Sequence, residues 1–500
     1  MPTTTTTTAA VGTRPASVAD ALDCGSVDVD VDAERADAGA RDLDARPEPG
    51  GRGTGALLVT IVLVGIGLRI WRAGFGGLSY DESFTALAGR LPLGDLFAHL
   101  RAADTHPPLD YLLRAPIARA AGGAFALRLP SLVFSVAALI VFALWSRRLG
   151  RAGLIATALM AVSEFQVLHG GEARMYALLQ LLGVLALVVA DRWVRAPRSW
   201  HAAALAALLV VAYLDHVSAF LLAGGAFVLP GLRRDGEAWR WRGAVVGATV
   251  VWAVAWGPTF LGQAEHDWAG WIPATTPAGI VRAVGGQVTG VDGLRTLLAV
   301  AVVAGGVALW RRDGRLGRVW LCLGALPFVA AAVVGAFTPF LLDRTLSLAA
   351  WAPVLALGVL GEVLIARWRL IGTALVGALL VAVLVGTAGF LAVKRYDVDL
   401  SMDHLHSVVR AGDVVATRPS RYGALADYRI GVLGGAPVRA AHVPGVPDTD
   451  AFRVGTGPAS GRVWLLALAG DHRRAPGYES CAPTWTDGVT RIECLRPLER

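Results

Sequence analysis

The chain has 500 residues, of which 55% are hydrophobic and only 17% charged, with a mean hydropathy of +0.54 and a formal net charge of +7. Soluble globular domains carry about 25% charged residues, so this composition excludes an ordinary soluble fold. The positive balance is almost all arginine, Lys394 being the sole lysine, in an Ala-, Gly- and Val-rich background; it reads as compositional bias, and no nucleic-acid partner is expected.

Residues 1–54 hold a threonine run, Thr3–Thr8, and an acidic Ala-rich stretch, Val27–Glu48, with few large apolar side chains. Such a segment cannot bury a core, and it lacks the basic and apolar regions of a cleavable signal. It is expected to be a disordered tail on the cytoplasmic side.

From residue 55 onward, apolar runs of spanning length recur. Eleven are expected, near 55–72, 127–146, 152–169, 174–194, 200–214, 216–232, 243–261, 294–310, 319–337, 345–365 and 370–393. The run 200–214 is short, and only Asp215-His216 divides it from the next. Arginines test the count. Alternate loops hold Arg147, Arg148 and Arg151; Arg192, Arg195 and Arg198; Arg233, Arg234, Arg240 and Arg242; Arg311, Arg312, Arg315 and Arg318; and Arg367 with Arg369. The intervening later loops hold Arg174, none at 215, Arg282 (with Arg295 at a span edge) and Arg344. This asymmetry follows the positive-inside rule. It predicts an N-in, C-out protein of the bacterial cytoplasmic membrane.

The first outer loop, 73–127, is too long for a simple connector. It opens with the acidic pair Asp81-Glu82, and carboxylates at a membrane boundary are costly enough to mark a function. Apolar residues at 93, 96, 97 and 100 predict a helix lying on the membrane interface. The run Asp104-Thr105-His106-Pro107-Pro108 predicts a second helix starting near Pro108. Further outer polar groups are Glu172, Arg174 and Tyr176 in Gly170–Tyr176, then His216, then Asp343-Arg344. Trp252, Trp256, Trp268 and Trp271 flank an outer loop as interface-belt residues, and Trp268 and Trp271 are also candidates to stack on a sugar.

Each group has a plainer reading. Asp81-Glu82 is also what a helix start favours, His106 suits a cap or turn, and Arg174 suits a snorkelling arginine. Glu172 pairs naturally with Arg174, and Asp215-His216 suits a tight polar turn. Residues 395–500 have a different texture. Val408–Thr417, which reads as helix end, turn and strand, and the buried strand Arg462–Leu468, with a short helical stretch at Tyr422–Tyr428, predict a small α/β domain outside the membrane. There Cys481 and Cys494 are a plausible disulfide; Cys24 and Cys322 have no evident partner.

The order of motifs, an outer Asp-Glu after the first span, then His-Pro-Pro-Leu, then Glu-Ala-Arg-Met-Tyr, then a late outer arginine, resembles the GT-C superfamily of integral-membrane glycosyltransferases. The resemblance is to the bacterial protein mannosyltransferase and aminoarabinose transferase type, and spans roughly 55–395. It implies an α-helical polytopic fold with residues 55–394 as the catalytic membrane domain. It also implies transfer of a sugar, mannose by default, from a polyprenyl-phosphate donor to a protein, lipid or glycan acceptor. Asp81 would then be the catalytic carboxylate with Glu82 beside it. Arg174 and Arg344 would hold the donor phosphate, and His106, Glu172, Tyr176 and His216 would bind substrate. The chemistry is consistent: a hydroxyl needs a base, and a departing phosphate needs its charge answered, which arginine forks do. No cofactor is implied with certainty; a divalent metal at Asp81, Glu82 and His106 is left open. The alternative is a transporter or flippase of lipid-linked substrates, which also needs outer arginines but would concentrate polar groups at mid-membrane.

Overall fold

All eleven apolar runs are helical in the computed structural model, which describes residues 52–104, 106–120, 123–231, 233–264, 272, 274–338, 341–392, 399–418, 437–440, 450–454, 461–468, 475, 477–486 and 490–498. Six helices are long and apolar enough to cross a bilayer alone: Gly53–Gly74, Ala124–Leu149, Tyr176–Arg195, Asp292–Arg312, Gly314–Gly335 and Arg369–Ala392. Three bent helix pairs have the length and apolarity of a broken span or a re-entrant loop: Arg151–Val162 with Glu164–Gly170 at 52°, Gly236–Ala255 with Gly257–Gln263 at 65°, and Asp343–Ala349 with Trp351–Arg367 at 66°. The last two runs form the shorter helices Ser199–Asp215 and Ala219–Val228. Between them His216 is extended (φ −158°, ψ 145°), so the chain breaks there and does not continue as one rod.

The bends expose carbonyls that lipid cannot satisfy. At the first bend buried arginine answers this need. Arg69, in the helix Arg52–Gly74, donates to the Met160 and Ala161 carbonyls at 3.1 and 3.0 Å, and Thr387 Oγ1 donates to the Val162 carbonyl at 2.7 Å. Arg69 also donates to Ser135 Oγ and Gly65 O, so its guanidinium sits inside the bundle with four partners.

The helices carry two charged ends. At one, Arg148 and Arg195 grip Asp191 at 2.6 and 3.0 Å, Arg195 also meets Asp313, Arg312 meets Glu362, and Arg233 lies 5.5 Å over the Trp193 ring. The arginine-rich loops therefore converge. The other end gathers Asp81, Arg174, Arg344 and their neighbours. Tyr176–Arg195, with 20 residues, joins the two ends; at 1.5 Å per residue that is about 30 Å, the hydrocarbon thickness of a bilayer. The short helix Ala219–Val228 and its flanking turns likewise link His216 at one end to Arg233 at the other.

Residues 80–119 form three helices at the Asp81 end: Tyr80–Arg90, Leu93–Ala103 and Leu109–Arg119. The first is closed by a complete capping box, Ser79 with Glu82. The second corrects an expectation. Leu96 and Leu100 are fully buried in the main apolar core and Phe97 packs against it, while Leu93 alone of the stripe is 55% exposed. The stripe faces protein, not the membrane interface. The third begins at Leu109 with Pro108 as its cap, as the prolines predict.

The C-terminal region is a sheet of seven strands: β1 (Val414–Arg418), β2 (Pro437–Ala440), β3 (Asp450–Val454), β4 (Val463–Leu468), β5 (Tyr478–Ser480), β6 (Trp485–Thr486) and β7 (Thr490–Pro497). Its order is β2-β3-β1-β4-β7-β5, with β6 beside β7; β1 and β4 are parallel and the other pairs antiparallel. Cys481 and Cys494 are joined by a disulfide, and Cys322 is a buried free thiol. Met402 and Leu405 of the helix Asp399–Val408 share one buried cluster with Trp464 and Ile492 of the sheet and with Leu78, Ala86 and Ala118 from the first loop. The sheet thus rests on the elements that carry Asp81. The expected segment Tyr422–Tyr428 and Cys24 lie outside the described residues.

Candidate functional site

Asp81 stands in the first turn of Tyr80–Arg90, where a carboxylate complements the helix dipole. Its side chain is a third exposed, and its Oδ2 accepts from Arg344 Nη1 at 2.9 Å, a residue 263 positions away. Arg174 donates from Nη1 to Thr85 Oγ1 at 2.8 Å and to the Asp81 carbonyl at 3.3 Å; its Nε is buried without a hydrogen-bond partner. Burial raises the Asp81 carboxyl, but Arg174 and Arg344 outweigh it and hold the group below the usual value of 3.8. Asp81 is therefore ionised at neutral pH and aimed at an arginine that is itself 30% exposed.

Glu82 points the other way and is fully buried. Arg128 Nε donates to Oε1 at 2.7 Å and Arg128 Nη2 to Oε2 at 2.8 Å. Ala173 N donates to Oε1 at 2.7 Å and Ser79 N to Oε2 at 2.8 Å. Burial alone would raise this carboxyl, but the Arg128 guanidinium holds it at about 2. Both oxygens are committed to the scaffold. Arg128 in turn collects the carbonyls of Ala73, Phe75, Gly76 and Gly77, fixing the loop that leads to Asp81. The Ala173 bond, with Arg114 and Ser131 on the Arg174 carbonyl, fixes the turn that presents Arg174. That turn packs too tightly for side chains: a Cβ on Gly170 would meet Ser135 Oγ at 2.1 Å.

The remaining expected residues join the same cluster. His106 lies 5.1 Å from the His216 ring, and burial followed by the Arg174 charge lowers its pKa to about 3, leaving it neutral. Its Nδ1 is buried without a partner. His216 is buried, its Nδ1 engaged by Ser218 at 2.9 Å, and it backs the His106 ring. Tyr176 is buried, with the Arg344 guanidinium 5.7 Å over its ring and His169 and His216 at 5.1 and 6.4 Å. Glu172 pairs with His169 Nδ1 at 2.9 Å and approaches Arg72 at 3.8 Å, so its partners are not Arg174. The carboxylates and imidazoles do not converge as a metal cage: among the described residues no group of three or more His, Cys, Asp and Glu is placed to hold an ion. Asp81, Glu82 and His106 each face a different partner.

A cavity of about 450 Å³ opens on Arg344, lined also by His169, Thr275, Thr276, Arg282, Arg295 and Asp343. Arg295 is tied to the Thr289 and Gly290 carbonyls, whereas Arg282 is exposed on the helix Pro277–Gly286. Thr275 Oγ1 is buried without a partner. Three guanidinium groups thus border one space, and one of them, Arg344, pairs with Asp81.

Neither a family model nor a curated protein matches the chain. Solved structures do. ArnT from Cupriavidus metallidurans bound to undecaprenyl phosphate superposes with a TM-score of 0.58, covering 89% of this chain and 98% of that one at 13% identity. Its apo state gives a TM-score of 0.60, covering 88% and 98%, again at 13% identity. The chain therefore shares the fold of those structures. The helical polytopic architecture with a small C-terminal sheet matches the sequence expectation in kind.

On this shared fold several site residues escaped sequence reasoning. Arg128 drew no notice in the sequence, yet its position at the start of an apolar helix is a signal, because ionisable groups in spans are rarely idle. Arg282 and Arg295 counted as topology markers, with nothing local to place them beside Arg344. Trp252 and Trp256 are buried, Trp252 among Tyr213, Phe220 and Phe260, so they are core residues and not an interface belt. Trp268, Trp271 and Asp267 lie outside the described residues.

Proposed function

We propose that this protein is a glycosyltransferase that moves a sugar from a polyprenyl-phosphate donor to an acceptor hydroxyl at the extracytoplasmic face. The observation that carries the reading is the Asp81–Arg344 pair, 2.9 Å long, at the edge of a cavity bordered by Arg282 and Arg295. A base and a phosphate clamp stand side by side. The likeness to ArnT, solved with undecaprenyl phosphate, supports a lipid-phosphate partner. The convergence of arginine-rich loops at the opposite end supports the N-in orientation, with the site and residues 395–500 outside. Mannose is the sugar proposed by the sequence resemblance.

In the proposed step, the acceptor oxygen attacks the anomeric carbon as Asp81 takes its proton. The bond from that carbon to the phosphate oxygen breaks, and its electron pair leaves with the lipid phosphate. Arg344 and Arg174 answer the growing charge, with Arg282 at the cavity mouth. One displacement inverts the anomeric centre. No second acid is needed, since phosphate departs unprotonated. A phosphate drawn to Arg344 competes with Asp81 for the same guanidinium, so donor binding weakens the pair and makes the carboxylate a stronger base. Glu82 acts as a positioning residue, holding the turn that bears Arg174. Tyr176 backs the Arg344 guanidinium, and His106, His216 and Glu172 belong to the surrounding cluster.

The reading is tested with proteoliposomes carrying the purified protein and a panel of labelled polyprenyl-phosphate sugars, mannose first, with cell-envelope acceptors. Sugar incorporation with inversion at the anomeric carbon supports it. Translocation of the intact labelled lipid without sugar transfer would instead show a flippase.

A further inference from the structure

Another cavity lies at the opposite end of the bundle and has no part in the proposed reaction. It measures about 490 Å³ and sits where the helices Ala124–Ser146 and Tyr176–Arg195 end and Ser199–Asp215 begins. Arg148, Arg192, Arg195, Arg198, Trp145 and Trp200 are among its walls. Its charges do not balance. The one carboxylate lining it, Asp191, is buried and already takes Arg148 at 2.6 Å, Arg195 at 3.0 Å and the Trp145 indole at 3.3 Å. Arg195 has a second carboxylate in Asp313. Arg192 and Arg198 are exposed and make no ion pair with another described residue. Two guanidinium forks beyond those already neutralised therefore face one space.

The setting selects among anions. Both helices that end here are spans, so the cavity lies at headgroup depth. Trp145 carries Arg148 4.8 Å over its ring, and Trp200 is 47% exposed, as interfacial indoles are. Leu144, also in the wall, is 60% exposed, and it continues a row on the same helix face with Ile140 at 38% and Val133 at 60%. Those positions are spaced 7 and 4 residues apart, which aligns them along one side of a helix. An apolar track thus runs from the cavity up the hydrocarbon-facing surface.

We propose that this cavity is a binding site for an anionic phospholipid, its phosphate held by Arg192 and Arg198 between Trp145 and Trp200, an acyl chain lying along Leu144, Ile140 and Val133. Basic pockets between spans at a membrane surface recognise such headgroups, and the apolar track is what a free phosphate has no use for. The site is about 30 Å from Asp81 by the length of the connecting helix and stands whether or not the sugar-transfer reading holds.

The test is lipid binding by native mass spectrometry of the purified full chain, with phosphatidylglycerol, phosphatidylcholine of the same acyl chains, and inorganic phosphate as probes. The wild type is expected to retain phosphatidylglycerol over phosphatidylcholine. The double variant Arg192→Gln/Arg198→Gln, which removes no ion pair of the fold, should lose roughly thirty-fold in phosphatidylglycerol affinity with an unchanged melting temperature. Leu144→Asn should weaken phosphatidylglycerol further than phosphate. Equal retention of the two lipids, undiminished binding by the double variant, or phosphate binding as tight as the lipid's would overturn the proposal.

Discussion

Asp81 and Glu82 are neighbours in sequence and opposites in structure. Asp81 keeps a third of its side chain exposed and shares a single guanidinium with a cavity. Glu82 is fully buried, and its two oxygens accept four hydrogen bonds from Arg128, Ser79 and Ala173. The difference arises from helical geometry: adjacent residues point about 100° apart, so one meets Arg344, which borders the cavity, and the other the scaffold. A carboxylate whose acceptors are all taken cannot also accept a proton from a substrate. On the proposed reading the chemistry falls to Asp81, and the placement of the elements around it to Glu82.

The contrast breaks most sharply on stability. Glu82→Ala breaks the buried pair with Arg128, which costs roughly 3–5 kcal/mol. Thermal unfolding in detergent should show a large drop in melting temperature; a melt like the wild type's would mean that Glu82 is no scaffold. Next in size is Arg344→Gln. Losing one donor that answers developing charge costs about 10²–10³ in rate, with little change in the melting temperature because Arg344 is 30% exposed. Steady-state transfer kinetics beside a melting curve read both.

A smaller effect sharpens the contrast by pH. Glu82 has a depressed pKa, so the stability it supplies is full above 4.5 and is lost as pH falls through about 2. The difference in melting temperature between wild type and Glu82→Ala should hold from pH 8 to 5 and narrow below 4.5. Asp81 is also depressed, and His106 is near 3, so neither should produce an acid limb in the transfer rate between pH 8 and 5. A midpoint near 6.5 that vanishes in His106→Gln would contradict the neutral imidazole. The smallest effect concerns the outer edge of the cavity. Arg282→Gln should raise the donor KM about five-fold, as expected for one exposed phosphate-directed arginine, and leave kcat unchanged.

What the sequence disclosed follows from which forces are local. Spans were legible because twenty apolar residues in a row have one physical solution. The polar groups of the site were legible because they break those runs at loop ends on one side. The strands β1 and β4 showed through as Val- and Leu-rich runs, whereas β7, with Arg491, Glu493 and Arg496 interrupting it, did not. Hidden were the partnerships made at long range. Glu82 meets Arg128 46 residues on, Arg69 meets carbonyls 91 and 92 residues on, and Glu172 turns to His169 and away from Arg174. The direction in which an amphipathic stripe faces was equally hidden, since protein core and lipid both accept Leu96 and Leu100.

The central claim, that Asp81 is the base and Glu82 is not, is tested most directly by single-turnover sugar transfer with Asp81→Asn and Glu82→Gln, each scaled to its folded fraction. General-base loss is worth about 10²–10⁴ in rate. Asp81→Asn should lose that much while still binding the lipid-phosphate donor, and Glu82→Gln should stay within about ten-fold of wild type per folded molecule. Transfer by Asp81→Asn at the wild-type rate, or an equal loss in both variants, would contradict the account.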